Sequence, residues 1–235
     1  MNPALKALQQ RIAYSFKRPE LLELAVTHPS YLQDNPDIPE SNQRLEFLGD
    51  AVLQLALTNE LFQQYPDERE GALSQYRATL TKGSYLSALA LEIDLSSCLL
   101  LGKSEEDSGG RTKASALEDA FEALIAAIHL DRGFDVASTV IKQIYGPVKD
   151  RLSDHNEMEN PKGRLQELVQ PDHGNEALRY DVTATSGADH AREYEVTLFF
   201  NDRPIANGTG SSKKIAEEAA ARLALTSWPD RPKSD

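Results

Sequence analysis

The 235-residue sequence predicts two domains, an all-α domain followed by a smaller domain of α-β-β-β-α order. In the first domain, apolar residues recur at steps of three and four, which is the helix period. In the second, they alternate at period two over successive short segments, as in strands. We assign the helical domain to residues 1–150 and the α-β-β-β-α domain to residues 159–228, with a linker at 151–158 and a tail at 229–235.

Two long helices dominate the predicted helical domain. One pattern begins near Leu45 and stops before Pro66, since proline cannot continue a helix. The other covers Ala116–Leu130 and contains an unbroken apolar run. The segments Tyr31–Ser41 and Gly102–Gly110 are rich in turn-forming and polar residues and are predicted to be loops.

In the second domain, Pro161 suits the first turn of a helix, and Tyr194–Phe200 has the clearest strand alternation. Asn201–Pro204 is a predicted turn. Ser211 or Ser212 can cap the last helix through its hydroxyl. The residues predicted for the inner face of that helix are Ala216, Ala219, Ala220 and Leu223.

Composition excludes several classes of protein. The single Cys98 excludes an internal disulfide framework and a cysteine-based zinc site. Apolar runs such as Ala123–Ile128 are far shorter than the roughly 20 residues of a membrane helix. The N-terminal segment lacks the pattern of a secretion signal. We therefore expect a cytoplasmic protein that does not interact with a membrane.

The net charge of −12 argues against nucleic-acid binding through a global field. Residues 1–156 hold 15 Lys and Arg against 23 Asp and Glu, and residues 157–235 hold 10 against 14. Neither part is basic. Any affinity for RNA must therefore come from local positive clusters, and binding should weaken steeply with salt.

Two pairs of carboxylates are the strongest candidates for chemistry. Glu46 and Asp50 lie four residues apart, and Asp119 and Glu122 lie three apart within a strongly apolar helix. Because unpaired buried charge is costly, such groups normally pair or hold a metal. Oxygen donors without nearby Cys or His suit Mg²⁺ or Mn²⁺. Spacing alone leaves open whether the helices face each other or each pair is simply solvated.

The segment Asn42–Leu53 (NQRLEFLGDAVL) closely resembles the signature of the ribonuclease III family. Supporting matches are Thr27–Tyr31, Arg77–Leu80 and Asp119–Ile125. The resemblance implies an all-helical ribonuclease III endonuclease domain that acts as a homodimer on double-stranded RNA with Mg²⁺, for which Mn²⁺ substitutes. It further implies products with 5′-phosphates, 3′-hydroxyls and two-nucleotide 3′ overhangs, formed in rRNA and mRNA processing.

The same resemblance implies roles for individual residues. Glu46, Asp119 and Glu122 would be metal ligands, and Asp50 and Glu122 would be catalytic. Glu70 matches an acidic position near the scissile site. Gln43 stands where the family has a glutamate, and a neutral amide supplies hydrogen bonds but no anionic charge.

Pro161–Glu167 (PKGRLQE) and Gly208–Glu217 (GTGSSKKIAE) resemble the two helix entries of a double-stranded RNA-binding domain. Such domains contact two minor grooves and the phosphates between them. The resemblance places Lys213 and Lys214 at phosphates, at a helix start that already favours anions. Gln166 and Glu167 would meet one minor groove and His190 the next. Gly163 departs from the usual Ser or Thr.

The loop ending in Arg111 has two interpretations, a phosphate contact or a flexible turn. Two other functional hypotheses are less favoured by the sequence. A non-cleaving protein that binds double-stranded RNA on a nuclease scaffold is favoured only by Gln43. A carboxylate-bridged metal oxidoreductase would need Glu-x-x-His pairs, which the two acidic helices lack.

Overall fold

The computed structural model describes residues 2–152, 161–174, 176–186 and 192–228. The chain forms two compact units that divide after Leu152. Most of the predicted linker and all of the predicted tail lie outside the described residues. Within the described ranges, no helix is both long and apolar enough to cross a membrane.

The first unit is helical, as predicted, apart from an isolated parallel bridge between Thr27 and Leu100. Short 3₁₀ turns occupy Leu95–Cys98 and Gly110–Thr112. The helices are α1 (Pro3–Arg11), α2 (Pro19–Ala25), α3 (Tyr31–Asp34), α4 (Gln43–Gln64), α5 (Glu70–Leu80), α6 (Gly83–Glu92), α7 (Lys103–Asp107), α8 (Ala114–Arg132) and α9 (Phe134–Tyr145).

Helix α8 is the centre of this unit, since its residues from Ala120 to Ile128 are all buried. A helix that is apolar on every side must be covered on every side. Helix α4 packs against it at very short range. A Cβ atom added to Gly49 would lie 1.8 Å from the carbonyl oxygen of Glu122, so the two backbones touch where only glycine fits.

Two predicted loops contain short helices, so the prediction of loops at Tyr31–Ser41 and Gly102–Gly110 is partly wrong. The reason is that hydrogen bonds between distant parts of the chain stabilise these helices. The Ser30 hydroxyl accepts a hydrogen bond from the Gly102 N–H at 3.0 Å, and Asp34 accepts one from the Lys103 N–H at 2.6 Å. These acceptors satisfy free N–H groups at the start of α7 from a distant part of the chain.

Arg111 is half-buried and makes hydrogen bonds to its own part of the chain. Its Nη1 donates to the carbonyl oxygens of Ser96 at 2.8 Å and Leu99 at 3.1 Å, and its Nε donates to Glu106 at 2.8 Å. The guanidinium is therefore engaged in holding the segment from Ser96 to Arg111 together. The contact of Arg111 with a phosphate stays a prediction.

The second unit has the predicted α-β-β-β-α order, with α10 (Pro161–His173), β1 (Leu178–Ser186), β2 (Glu193–Phe200), β3 (Arg203–Gly210) and α11 (Lys213–Ser227). The strands form one antiparallel sheet in the order β1-β2-β3. Val182 pairs with Val196, and Leu198 pairs with Ala206, with a bulge in each ladder. Asn201 and Asp202 both have positive φ, as a tight hairpin turn requires.

Helix α11 packs closely on the sheet because both surfaces carry small residues. A Cβ on Gly208 would lie 2.2 Å from the Ala216 carbonyl oxygen. The buried face of α11 consists of Ala216, Ala220, Ala221 and Ala224. The prediction that Leu223 lies on the inner face is wrong, since it is 54% exposed. The Ser212 cap is confirmed by its hydroxyl, which accepts from the Ile215 N–H at 3.2 Å.

We predict that Gly49→Ala lowers the free energy of unfolding by at least about 2 kcal/mol, because the added methyl collides with the backbone of α8. Gly71→Ala is the matched control, since its Cβ would meet nothing within 4 Å. That change should stabilise α5 by up to about 1 kcal/mol. Urea denaturation followed by circular dichroism measures both, and equal stabilities for the two variants would contradict the close contact.

Candidate active site

The structure brings the four predicted carboxylates together. Helix α4 carries Glu46 and Asp50, and α8 carries Asp119 and Glu122. The backbone contact between Gly49 and Glu122 lies among them. The start of α4 is fixed by Asn42, which is buried and donates its N–H to the Thr27 carbonyl at 2.8 Å. Two helices with ordinary spacing of their acidic residues thus form one acidic surface.

Glu122 lies deepest, with 9% of its surface exposed. Burial raises the pKa of its carboxyl group to about 8, and the charges of Asp50, Glu118, Glu46 and Asp119 add to the effect. Each of these causes disfavours a negative charge on Glu122. The site therefore holds more negative charge than its own residues compensate.

The pKa values of Glu46 and Asp119 are raised as well. Burial raises the pKa of Glu46, and Asp119 and Glu118 raise it further. Burial also raises the pKa of Asp119, although the electrostatic effects of His28 and Lys113 oppose the shift. His28 is therefore close enough to act electrostatically on the site. Its Nδ1 lies 2.8 Å from the Ser30 hydroxyl and accepts from the Ser30 N–H at 3.2 Å.

Across the described parts of the chain, no three His, Cys, Asp or Glu side chains converge tightly enough to form a ready-made metal cage. The acidic surface nevertheless fits a hard divalent cation by its chemistry. It offers carboxylate oxygens from two rigid helices, and their mutual repulsion is what a bound cation would relieve.

Two residues near the site were missed by sequence reasoning. Glu118 acts electrostatically on Glu46 and Glu122. Gln54 donates hydrogen bonds from its amide to Asp50. A signal was present for both, since Glu118 precedes Glu122 by four residues and Gln54 follows Asp50 by four.

Gln43 and Glu70 each begin a helix. Gln43 is the exposed first residue of α4, with its Oε1 3.4 Å from the Ser41 hydroxyl. Glu70 is the exposed first residue of α5 and accepts from the Ser74 hydroxyl at 2.9 Å. It lines a cavity of about 470 Å³ together with Phe62, Leu73 and Arg77, among other residues.

The residues predicted to meet RNA lie on the second unit. Lys213 and Lys214 are exposed at the start of α11, and the Lys214 amine is 3.8 Å from Glu218. On α10, Gln166 is half-buried, while Glu167 is exposed and 3.7 Å from Arg164. His190 lies outside the described residues.

Comparisons with known proteins agree with both units. A family model described as ribonuclease-III-like matches residues 18–148, and one described as a double-stranded RNA binding motif matches residues 161–227. The chain is 42% identical over 221 residues to a protein named ribonuclease 3 from Bdellovibrio bacteriovorus, covering 94% of each chain. It is 40% identical to the protein of that name from Syntrophobacter fumaroxidans, covering 96% of each.

Among solved structures, the nuclease domain of ribonuclease III from Campylobacter jejuni matches with a TM-score of 0.56 and 39% identity. The match covers 60% of this chain and 94% of that one. The Campylobacter jejuni domain shows structural flexibility in a region involved in its dimer formation. The sequence signature, the paired acidic helices and these comparisons agree, and the chain belongs to the ribonuclease III family.

Proposed function

We propose that this protein is an endoribonuclease that cleaves double-stranded RNA at the acidic surface of α4 and α8. The observation that carries the proposal is the gathering of Glu46, Asp50 and Glu122 around the Gly49 contact. The second unit supports it, because its family model is a double-stranded RNA binding motif. We further propose that the protein acts in the cytoplasm on rRNA and mRNA precursors.

We infer that Glu46, Asp119 and Glu122 would hold Mg²⁺, or Mn²⁺ in its place. When bound, such an ion supplies an activated water and stabilises charge on the phosphate oxygens. Glu122 and Asp50 would have different roles. Glu122 must give up its carboxyl proton before it can act as an anionic ligand, since its pKa is about 8 without metal. Asp50 would either be a further ligand of the ion or orient the attacking water through its carboxylate.

We infer that the working form is a homodimer. Three large apolar side chains on α4, Phe47, Leu55 and Phe62, are more than half exposed. Their spacings of eight and seven residues place them on one side of the helix. A second copy of this chain would cover that stripe. Two active sites on one duplex would leave ends with 5′-phosphates, 3′-hydroxyls and two-nucleotide 3′ overhangs.

RNA affinity in an acidic protein requires local positive charge. Lys213 and Lys214 begin α11, where the free N–H groups of the first turn already favour anions. We propose that these lysines bind phosphates, while Gln166, Glu167 and His190 face the minor grooves. Gln43 and Glu70 would be accessory residues near the scissile phosphate.

A second candidate function is a protein that binds double-stranded RNA without cutting it. Its one favourable observation is Gln43, which lacks the negative charge of the family glutamate. Against it stand the four carboxylates, all present and all brought together by α4 and α8. Cleavage assays separate the two functions.

We predict that the wild type cuts a long RNA duplex in Mg²⁺ into fragments with two-nucleotide 3′ overhangs. Glu122→Gln and Asp50→Asn should still bind the duplex but cut at least about 100-fold more slowly, because each removes a charge that the chemistry needs. Glu23→Gln, an exposed change on α2, is the control and should cut normally. Sequencing of the fragment ends and gel-shift titrations give both readouts.

Binding by the wild type without cleavage in Mg²⁺ or Mn²⁺ would support the non-cleaving protein. In that case Gln43→Glu is the first variant to test for restored cleavage. Full activity in Glu122→Gln would instead contradict the assignment of the site.

We predict that stability without metal falls as the pH rises from about 5 to about 8. In this window folded Glu122 binds a proton, because its pKa is about 8, whereas unfolded glutamate near 4.5 has lost it. Glu122→Gln removes this dependence and should be more stable than the wild type at pH 8 by on the order of 2 kcal/mol. Urea denaturation in EDTA at several pH values measures this, and an unchanged pH slope in Glu122→Gln would refute it.

We predict that Lys213→Ala and Lys214→Ala each weaken duplex binding and lower the slope of log affinity against log salt by up to about 1, as expected for the loss of one phosphate contact. Lys6→Ala, an exposed lysine on α1, serves as the control. Fluorescence anisotropy at a series of salt concentrations measures the slopes. Affinity that does not depend on salt would contradict the phosphate contacts.

A further inference from the structure

Gln54 holds the Asp50 carboxylate by both of its oxygens. The Gln54 amide Nε2 lies 2.8 Å from Asp50 Oδ1 and 3.0 Å from Oδ2. Both residues are half-buried on α4, one helical turn apart. A donor shared between the two oxygens restricts rotation of the carboxylate, which a single hydrogen bond to one oxygen would not do as well.

The same helix contains an ordinary pair for comparison. Gln64 donates to Glu60 across the same four-residue spacing, but it is exposed, ends the helix and reaches one oxygen. Pairs of that kind stabilise a helix only slightly. Gln54 and Gln64 share residue type, helix and spacing, but Gln54 is half-buried and reaches both oxygens of its acceptor, whereas the carboxylate that Gln64 reaches also pairs with Lys142.

Asp50 differs from the other acidic residues in its electrostatic effect and in its hydrogen bonds. Its charge has the largest electrostatic effect of any side chain on Glu122, and it also acts on Glu118. Within the described ranges, no side chain donates a hydrogen bond to Glu46, Asp119 or Glu122. Gln54 is thus a neutral donor whose hydrogen bonds go to one carboxylate of the acidic surface.

We propose that Gln54 is a positioning residue that orients the Asp50 carboxylate for the reaction. This inference rests on the proposed function. The amide occupies one direction at each oxygen, and a carboxylate oxygen has a second lone pair for a water or a cation. Gln54 therefore acts through Asp50 and does not contact the RNA.

The test uses the full chain with Gln54→Met and Gln54→Leu, which keep the size of the side chain and remove the donor. Single-turnover cleavage at saturating duplex should slow roughly 10- to 100-fold, the usual loss when a hydrogen bond to a ligand is removed. The KM for the duplex should stay unchanged. Binding of Mn²⁺ alone to the RNA-free protein, followed by electron paramagnetic resonance, should weaken in parallel.

Two controls show whether the effect passes through Asp50. Gln64→Met removes the comparison pair and should alter neither cleavage nor Mn²⁺ binding. In an Asp50→Asn background, Gln54→Met should cause no further loss of Mn²⁺ affinity, because the group that it positions has already been changed. A further loss equal to that in the wild type would overturn the proposal.

The outcomes also separate this inference from the proposed function. If the wild type cuts and Asp50→Asn does not, but Gln54→Met behaves as Gln64→Met does, the positioning role is overturned and the nuclease stands. A raised KM with an unchanged cleavage rate would make Gln54 an RNA contact and likewise overturn it. If the wild type never cuts, but Gln54→Met and Asp50→Asn weaken Mn²⁺ binding non-additively, the nuclease is wrong, while the positioning of Asp50 by Gln54 still stands as a role in metal binding.

Discussion

The contact between Gly49 and the Glu122 carbonyl is the constraint on which the site depends. It sets the distance between α4 and α8, and every carboxylate of the acidic surface projects from one of these two helices. The carboxylates repel each other, so they do not supply the energy that holds the helices together. That energy comes from buried apolar side chains on either side, such as Leu53 on α4 and Leu124 on α8.

In the second unit a glycine also allows a close backbone contact, here between a strand and a helix. Gly208 on β3 lets the alanine face of α11 approach the sheet until backbone meets backbone. Because alanines suffice for packing, Lys213 and Lys214 at the start of α11 can be exposed to solvent. A chain with a net charge of −12 can thus present a small basic site without becoming basic overall.

The sequence predicted the parts of the fold that follow from periodicity. Helices α4 and α8 are long and strongly patterned, and the strands alternate clearly. What it could not predict depends on distant partners. Helices α3 and α7 are too short to form alone, and the hydrogen bonds of Asp34 and Ser30 to the start of α7 stabilise them. Leu223 was assigned to the core by its apolar character, whereas the approach of Gly208 leaves room only for alanine.

In the site, too, some features follow from the sequence and others depend on how the helices pack. A family signature identifies the four carboxylates one by one, but the depth of Glu122 and the presence of Glu118 emerge only when α8 is placed against α4. Gln43 removes a negative charge from α4, and Glu118 places one on α8, so the surface stays strongly acidic. Such a surface is destabilising until a cation binds. Helix α8 can therefore carry Asp119 and Glu122 only because nearly all of the remaining residues in its centre are buried.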